Sequence, residues 1–137
     1  YETMYHGTET ERHVRFGGYI QDLHEIYPSC FCGVIPSTAY DSFPRTAIEM
    51  AACGLPVLGS RLQGLKEAVL HEKTGLHFEP GNSVELADRI EYLLDNPGEA
   101  RRLGWNGRRR CEAELNRDNH KQRLLSVFKR RIGLDHN

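Results

Sequence analysis

Two carboxylates, Asp41 and Glu49, lie eight positions apart in the stretch of this sequence that carries the most chemistry. A carboxylate one turn into a helix, where Glu49 is expected, can accept hydrogen bonds from both hydroxyls of a ribose. Glu49 also follows Thr46 by three positions, the spacing of a capping box. Asp41 fits either an Asx turn or a carboxylate placed near a sugar or a developing positive charge. The residues alone leave both alternatives open.

The segment between the two carboxylates leads into a helix start that could bind an anion. The free N–H groups of a first turn and the helix dipole together favour a phosphate or diphosphate. Arg45 could add a charge-assisted contact there, or point to solvent. Gly64, in the next loop, could let backbone N–H groups approach the same ligand, or belong to a plain turn.

Two apolar strands and the helix between them must position these residues. Residues 31–35 and 55–58 predict buried strands, and residues 46–53 predict a helix that Gly54 closes in a left-handed C-cap. Parallel strands place their exit loops at one edge of a sheet, which is the edge where ligands bind in open α/β folds. The central stretch therefore predicts a ligand site at that edge.

The flanking segments continue the alternation of strands and helices. We expect a strand at residues 13–16, a helix at 21–27 and an edge strand at 76–78. Three helices are expected after them: 82–94 with a capping box of Asn82 and Glu85, 99–115 with an interruption near 104–107, and 117–132. The pattern predicts an α/β fold in which helices flank a parallel sheet.

Composition restricts the class of protein. The 137 residues have the size of one domain, and 39% hydrophobic with 27% charged residues is ordinary for a globular protein. The formal net charge of -1 gives no reason to expect a nucleic-acid or anionic-membrane partner. No apolar run is long enough to span a membrane, and the N-terminus does not resemble a signal peptide. Four cysteines without C-x-x-C spacing predict reduced thiols, and we expect a cytoplasmic protein.

Several other kinds of site find no support. The seven histidines are scattered without metal-ligand spacing, so we expect no metal site. There is no G-x-S-x-G motif and no P-loop, which argues against triad hydrolases and P-loop NTPases. The arginines at 108–110 and 117 suggest a basic surface, but the neighbouring Glu112 and Glu114 favour a solvated helix face.

The central stretch resembles the signature of the C-terminal domain of GT-B retaining glycosyltransferases, the glycosyl transferases group 1 (family 4). The run PSTAYDSFPRTAIEMAACGLPVLGSRLQGLKEAV has the family's proline-serine strand exit, its E-x7-E spacing, its alanine-rich helix and its G-x-P-V closure. The lead-in VRFGGYIQDLHEIYPSC and the tail TGLHFEPGNSVELADRIEYLLDN are similar too, so the resemblance covers residues 12–110. It implies a Rossmann-like parallel sheet flanked by helices, one half of a GT-B fold.

The resemblance implies a role for each acid of the E-x7-E motif. Glu49 is the second acid and would bind the ribose of a nucleotide. Asp41 stands at the first, catalytic position near the donor sugar or its phosphate, with a side chain one methylene shorter than the usual glutamate. The donor would be a nucleotide-diphosphate sugar, and the family implies neither a metal nor another cofactor.

Other residues take donor-binding positions by the same resemblance. The diphosphate would lie on the backbone of Phe43, Pro44, Arg45 and Thr46, the base beside Gly18 and Tyr19, and the sugar side near Gly64. Gln63 replaces the first glycine of the family's usual glycine pair. These assignments predict one donor site assembled from several loops.

The resemblance also implies parts outside this sequence. The family's first strand and helix of the domain, with an arginine and a lysine that clamp the diphosphate, would precede residue 1, as would the N-terminal acceptor domain. We therefore interpret residues 1–137 as a single C-terminal donor-binding domain, a fragment or one half of a split enzyme, and expect the isolated chain to be inactive. Its partners would be the nucleotide sugar and an acceptor domain or partner chain, and membrane association is expected only through that domain.

The implied function is the donor half of a hexosyltransferase-type enzyme whose acceptor is a polysaccharide, a lipid-linked glycan or a small-molecule glycan. One alternative is the half-site of another GT-B enzyme, such as a nucleotide-sugar epimerase. A second alternative is a non-catalytic nucleotide-binding or regulatory module. Loss of nucleotide affinity would favour the regulatory module, and an arginine-lysine pair on an upstream segment or partner chain would favour the enzyme.

Overall fold

The computed structural model describes residues 7–40 and 42–132, and within them the chain forms one parallel sheet. The strands, in sheet order, are β1 (Gly33–Ile35), β2 (Val57–Ser60) and β3 (Gly75–Phe78). Val34 pairs with Leu58, and Leu58 pairs in turn with Leu76. The expected parallel α/β arrangement is confirmed, with β2 at the centre.

Helices follow each strand in the described part of the chain. They are α1 (Arg45–Ala52), α2 (Gln63–Ala68), α3 (Ser83–Asp95), α4 (Pro97–Ala113) and α5 (Arg117–Ile132). No described helix has the length and apolar character needed to cross a membrane.

The core lies on both faces of the sheet because successive residues of β2 point in opposite directions. Val57 packs with the first pair of helices, in a cluster completed by Ala47, Ala51, Leu65, Ala68 and Val69. Leu58 packs with the second pair, in a cluster completed by Leu76, Phe78, Leu93, Ala100 and Leu103. Since both faces are covered, the carboxyl and amino edges of the sheet are left for ligands.

Two glycines bring the end of α1 against the middle of α4. Gly54 has φ +82°, the left-handed C-cap predicted for it. A Cβ at Gly104 would lie 2.0 Å from the carbonyl oxygen of Gly54, and one at Gly107 would lie 3.3 Å from the Cβ of Ala51. The interruption predicted near residues 104–107 is therefore wrong: α4 is continuous, and its glycines allow close helix packing.

Two elements predicted before β1 are also wrong. Residues 13–16 form no strand, and no described strand pairs with the outer edge of β1. Residues 21–27 form no α-helix; two 3₁₀ turns, Leu23–Glu25 and Tyr27–Ser29, cover this region, and a third covers Glu11–His13. Alternating residues make a strand only where a partner supplies the hydrogen bonds, and the sequence pattern does not contain that information.

Side chains of α4 hold the connection between α2 and β3. Arg110 donates from Nη1 to the carbonyl of Ala68 and from Nη2 to that of Glu67, both at 2.8 Å. Asn106 donates to the carbonyl of Lys73 at 3.1 Å. The last carbonyls of a helix have no partner within it, so Arg110 satisfies the end of α2.

The last helix, α5, has the span that the sequence predicts. Four of its large apolar side chains form an exposed apolar stripe, each about half accessible: Leu124, Leu125, Val127 and Phe128. The spacing of these residues agrees with one side of a helix. The stripe is unlike the rest of the described chain, where clusters of large apolar side chains are buried.

His77 is a buried imidazole in β3. Its Nε2 lies 2.8 Å from the carbonyl oxygen of Val69, and its ring stacks on His71 with centroids 5.1 Å apart. Burial lowers the pKa of His77 below its usual 6.5; the Val69 carbonyl opposes this, whereas nearby His71, Arg61 and Lys66 lower it further. His77 is therefore neutral near pH 7 and donates its Nε2–H to Val69.

We expect the free energy of unfolding to fall as the pH is lowered from 7 to 5. The unfolded chain takes up a proton on residue 77 near pH 6.5, whereas the folded chain does so only at lower pH, so stability present above 6.5 is lost below it. His77→Gln, whose amide can still donate to Val69, should show a shallower fall in urea denaturation across that range. His120→Gln, at an exposed position, serves as the control and should keep the wild-type slope. Equal slopes for His77→Gln and the wild type would contradict the assignment.

Candidate functional site

The start of α1 leaves backbone donors open at the carboxyl edge of the sheet. The N-cap is Pro44, in an extended conformation, and no side chain caps the helix. Ala47 N–H donates to the Pro44 carbonyl at 3.1 Å, while the N–H groups of Arg45 and Thr46 have no partner among the described residues. Of the two alternatives for Glu49, the capping box with Thr46 is not formed, because the helix begins at Arg45, before Thr46. These open donors can bind an anion.

Glu49 lies one turn further along α1. Its Oε1 is 3.6 Å from Nη2 of Arg45, and the two side chains are 37% and 92% exposed. An ion pair this exposed contributes at most about 1 kcal/mol. A ligand can therefore engage the Glu49 carboxylate and the Arg45 guanidinium separately at little cost.

A groove of about 730 Å³ opens beside Glu49. One wall is the start of α1, and the other is the α4–α5 connection with the first turns of α5. The lining residues are Phe43, Arg45, Ile48, Glu49, Glu114, Leu115, Asn116, Arg117, His120 and Arg123. The volume suits a small-molecule ligand.

The second wall of the groove is held in place by Asn116. Its side-chain oxygen accepts from the N–H of Asn119 at 2.8 Å, and its amide nitrogen donates to the carbonyl of Glu112 at 2.7 Å. Asn116 thus fixes the turn that brings Arg117 and Arg123 to the groove. Neither arginine has an ion-pair partner among the described residues, so both can face an anionic ligand.

The α5 residues are the part of the groove that sequence reasoning missed. Arg117 was expected on a solvated helix face, and the only signal in this region was the polar run at residues 116–120. Their position depends on the angle of the turn between two helices, which a local pattern does not encode.

The predicted site residues are only partly brought together. Phe43, Arg45 and Glu49 line one groove, and Pro44 and Thr46 lie beside them in the chain. Gly18, Tyr19 and Gly64 do not line that groove. Gly18 has a backbone φ of +62°, Tyr19 is 94% exposed, and Gly64 is buried in the first turn of α2. Asp41 lies outside the described residues. The roles assigned to all of these residues remain predictions.

No cluster of three or more metal-ligating side chains occurs within residues 7–40 and 42–132. The four cysteines are free thiols, as expected, although Cys30 is exposed rather than part of the core. The polar groups that line the groove are carboxylates, guanidinium groups, the His120 imidazole and the Asn116 amide, beside the open backbone N–H groups of α1.

Comparison with known families places this arrangement in context. The sequence profile of the Glycosyl transferases group 1 family matches residues 1–110. The chain belongs to this family. Among its relatives, a glycogen synthase from Mycobacterium tuberculosis is 32% identical over 106 residues, 76% of this chain and 25% of that protein. An MMP alpha-(1->4)-mannosyltransferase from Mycolicibacterium hassiacum is 31% identical over 121 residues, 88% of this chain and 29% of that protein.

Solved structures agree with the group 1 assignment. Sucrose-phosphate synthase from Thermosynechococcus elongatus is similar with a TM-score of 0.87 and 33% identity, over 98% of this chain and 34% of that one. HepE from Anabaena, in complex with UDP-glucose, has a TM-score of 0.81 and 25% identity, over 90% of this chain and 33% of that one. The fold is that of a Rossmann-like C-terminal GT-B domain, which confirms the resemblance read from the sequence. The group 1 chain spans about a quarter to a third of these relatives.

Proposed function

We propose that this group 1 chain binds the nucleotide-diphosphate sugar of a retaining glycosyltransferase in the groove beside Glu49. The observation that carries the proposal is the position of Glu49, the second acid of the E-x7-E motif. It lines the groove one turn beyond the open N–H groups of α1. A carboxylate that could accept from a ribose and a helix start that could bind a diphosphate thus lie side by side.

The proposed roles follow from charge and geometry. Glu49 accepts hydrogen bonds from the ribose hydroxyls, and the first turn of α1 with Arg45 holds the diphosphate. When the glycosidic bond breaks, negative charge develops on the leaving diphosphate, and donors already aimed at it lower the barrier. Asp41 is proposed at the donor sugar, and Gly18 with Tyr19 at the base.

Transfer itself requires an acceptor held against the donor in one cleft. We propose that a separate acceptor domain or partner chain supplies the other wall of that cleft and that no metal takes part. The acceptor is proposed to be a glycan, and the cytoplasmic location remains a prediction from composition. The proposal for this chain alone is donor binding.

Titration of the 137-residue chain with UDP, GDP and ADP tests donor binding. UDP is the first ligand to try, because the similar HepE structure contains UDP-glucose. A nucleotide at about a hundred times its Kd adds about 2.7 kcal/mol to the stability, which should raise Tm by several degrees. Uridine, which lacks the diphosphate, is the control and should give a much smaller shift. Unchanged Tm with all three diphosphates at millimolar concentration would overturn the proposal.

A further inference from the structure

Helix α5 differs in charge from the rest of the chain. Six of its 16 residues are lysine or arginine and one is aspartate, which gives a net charge of +5 with histidine neutral. Since the whole chain has a formal net charge of -1, the residues outside α5 carry -6. None of the six cations has an ion-pair partner in the described part of the chain. The net charge of the chain hides this asymmetry, so it gave no reason to expect an anionic surface as a partner.

The second half of α5 has no cover within the described chain. Every residue at positions 121–131 is exposed, and the exposed apolar stripe lies within this part of the helix. Isolated helices of this length are marginal in water, because the packing of an apolar face supplies most of the stability of a helix. An occupant that covers the stripe should therefore also stabilise α5.

Cations lie at both ends of the apolar stripe. Lys121 precedes Leu125 by four positions. Arg131 follows Phe128 by three positions. Residues at these separations are neighbours on one side of a helix, so both cations share the face of the stripe. The aliphatic stems of lysine and arginine can lie along an apolar surface while the charged groups reach a polar layer.

Cations also lie on the two flanks of the stripe. Lys129 follows Leu125 by four positions, on one side. Arg130 follows Val127 by three positions, on the other side. The face opposite the stripe carries neutral polar side chains: Asn119, Gln122 and Ser126. An apolar face bordered by lysine and arginine is typical of helices that lie in the headgroup layer of an anionic membrane.

We propose that α5 binds the surface of a bilayer that contains anionic lipids. The stripe enters the boundary between headgroups and acyl chains, and the cations around it contact lipid phosphates. A second copy of the chain fits less well, because a symmetric contact through α5 would bring together two helices of charge +5. A protein partner would need a carboxylate opposite each cation, whereas a headgroup layer offers negative charge along the whole helix.

Sedimentation of the 137-residue chain with sucrose-loaded vesicles tests the proposal. Vesicles of equal parts phosphatidylglycerol and phosphatidylcholine should bind the chain about a hundredfold more tightly than phosphatidylcholine vesicles, since each lysine or arginine near an anionic surface contributes about fivefold. Added salt should weaken the binding, because it screens the attraction between charges. Equal binding to both kinds of vesicle, or no binding to either, would overturn the proposal in favour of a protein partner.

Two triple variants test whether the cations of α5 are responsible. The first replaces the three cations of the last turn: Lys129→Gln, Arg130→Gln and Arg131→Gln. It should weaken binding to the anionic vesicles by about a hundredfold, and its three positions lie outside the groove beside Glu49, so donor binding should not change. The control replaces three exposed arginines of α4 and changes the net charge equally: Arg101→Gln, Arg108→Gln and Arg109→Gln. Equal weakening in the two variants would overturn the assignment to α5.

Phe128→Trp reports whether the stripe enters the bilayer. Combined with Trp105→Phe, which removes the single native tryptophan, it places one fluorophore on the stripe. Both native side chains are more than half exposed, so the fold should tolerate both substitutions. On anionic vesicles the emission should shift to shorter wavelength and be quenched by lipids brominated on their acyl chains. Binding without quenching would mean that charge alone adsorbs the chain, and would overturn the proposed insertion of the stripe.

Discussion

Gly104→Ala is expected to destabilise the fold by about 3 kcal/mol, the upper end of the usual cost of overpacking. The new Cβ would lie 2.0 Å from the Gly54 carbonyl oxygen and 3.2 Å from the Pro56 nitrogen. Both are backbone atoms, so no side-chain rotation can relieve the overlap. Helix α4 would have to move away from the end of α1. Urea denaturation of the variant and the wild-type chain gives the difference in unfolding free energy.

Gly98→Ala is the matched control in the same helix. Gly98 lies in the first turn of α4, and a Cβ there would meet no atom within 4 Å. Replacing a glycine with alanine at a compatible helical position stabilises by about 0.4–1 kcal/mol, because the unfolded chain loses freedom. The two substitutions are thus expected to have opposite signs. Equal stability of the two variants would show that α4 does not pack on Gly54 as the structure has it.

Glu49→Gln is expected to weaken nucleotide diphosphate binding by about tenfold or more. A hydrogen bond to a charged group contributes about 1.5–3 kcal/mol, and about 1.4 kcal/mol corresponds to a factor of ten in Kd. Glutamine keeps the length of the side chain but presents one acceptor oxygen and no charge to the ribose. Isothermal titration with the nucleotide that binds the wild-type chain measures the change.

Glu112→Gln separates loss of the ribose contact from loss of an ion pair. Glu112 pairs with Arg108 at 3.0 Å in an i,i+4 arrangement, as Glu49 does with Arg45, but it lies outside the groove. Its replacement should leave the affinity unchanged. Wild-type affinity in Glu49→Gln would remove Glu49 from the site even if a nucleotide binds.

The central strands and helices could be predicted because their signals are local. Apolar runs mark β1 and β2, and Gly54 marks the end of α1 through its left-handed backbone. The capping box at α3 is half right: Asn82 accepts from the N–H of Glu85 at 3.0 Å, but the Glu85 carboxylate accepts from the N–H of Glu79 instead. A carboxylate takes whichever donor the tertiary fold brings near, and the sequence does not show that donor.

The misjudged parts all depend on packing between distant segments. The glycines of α4 were expected to break a helix, yet they permit contact with Gly54, some fifty positions earlier in the chain. Glu49 could be predicted as a groove residue from its motif. Arg117 and Arg123 could not be predicted, because the turn between α4 and α5 brings them to the groove. Sequence reasoning thus identified one wall of the groove.

The exposed apolar stripe of α5 has a consequence for the behaviour of the chain in solution. At its isoelectric point near 6.7 the chain carries almost no net charge, so long-range repulsion between molecules is weak. Half-exposed Leu124, Leu125, Val127 and Phe128 then favour contact between molecules. Sulfate and other salts excluded from protein surfaces strengthen such contacts. Solubility should therefore be lowest close to neutral pH and in sulfate buffers, and should rise in buffers well away from pH 6.7.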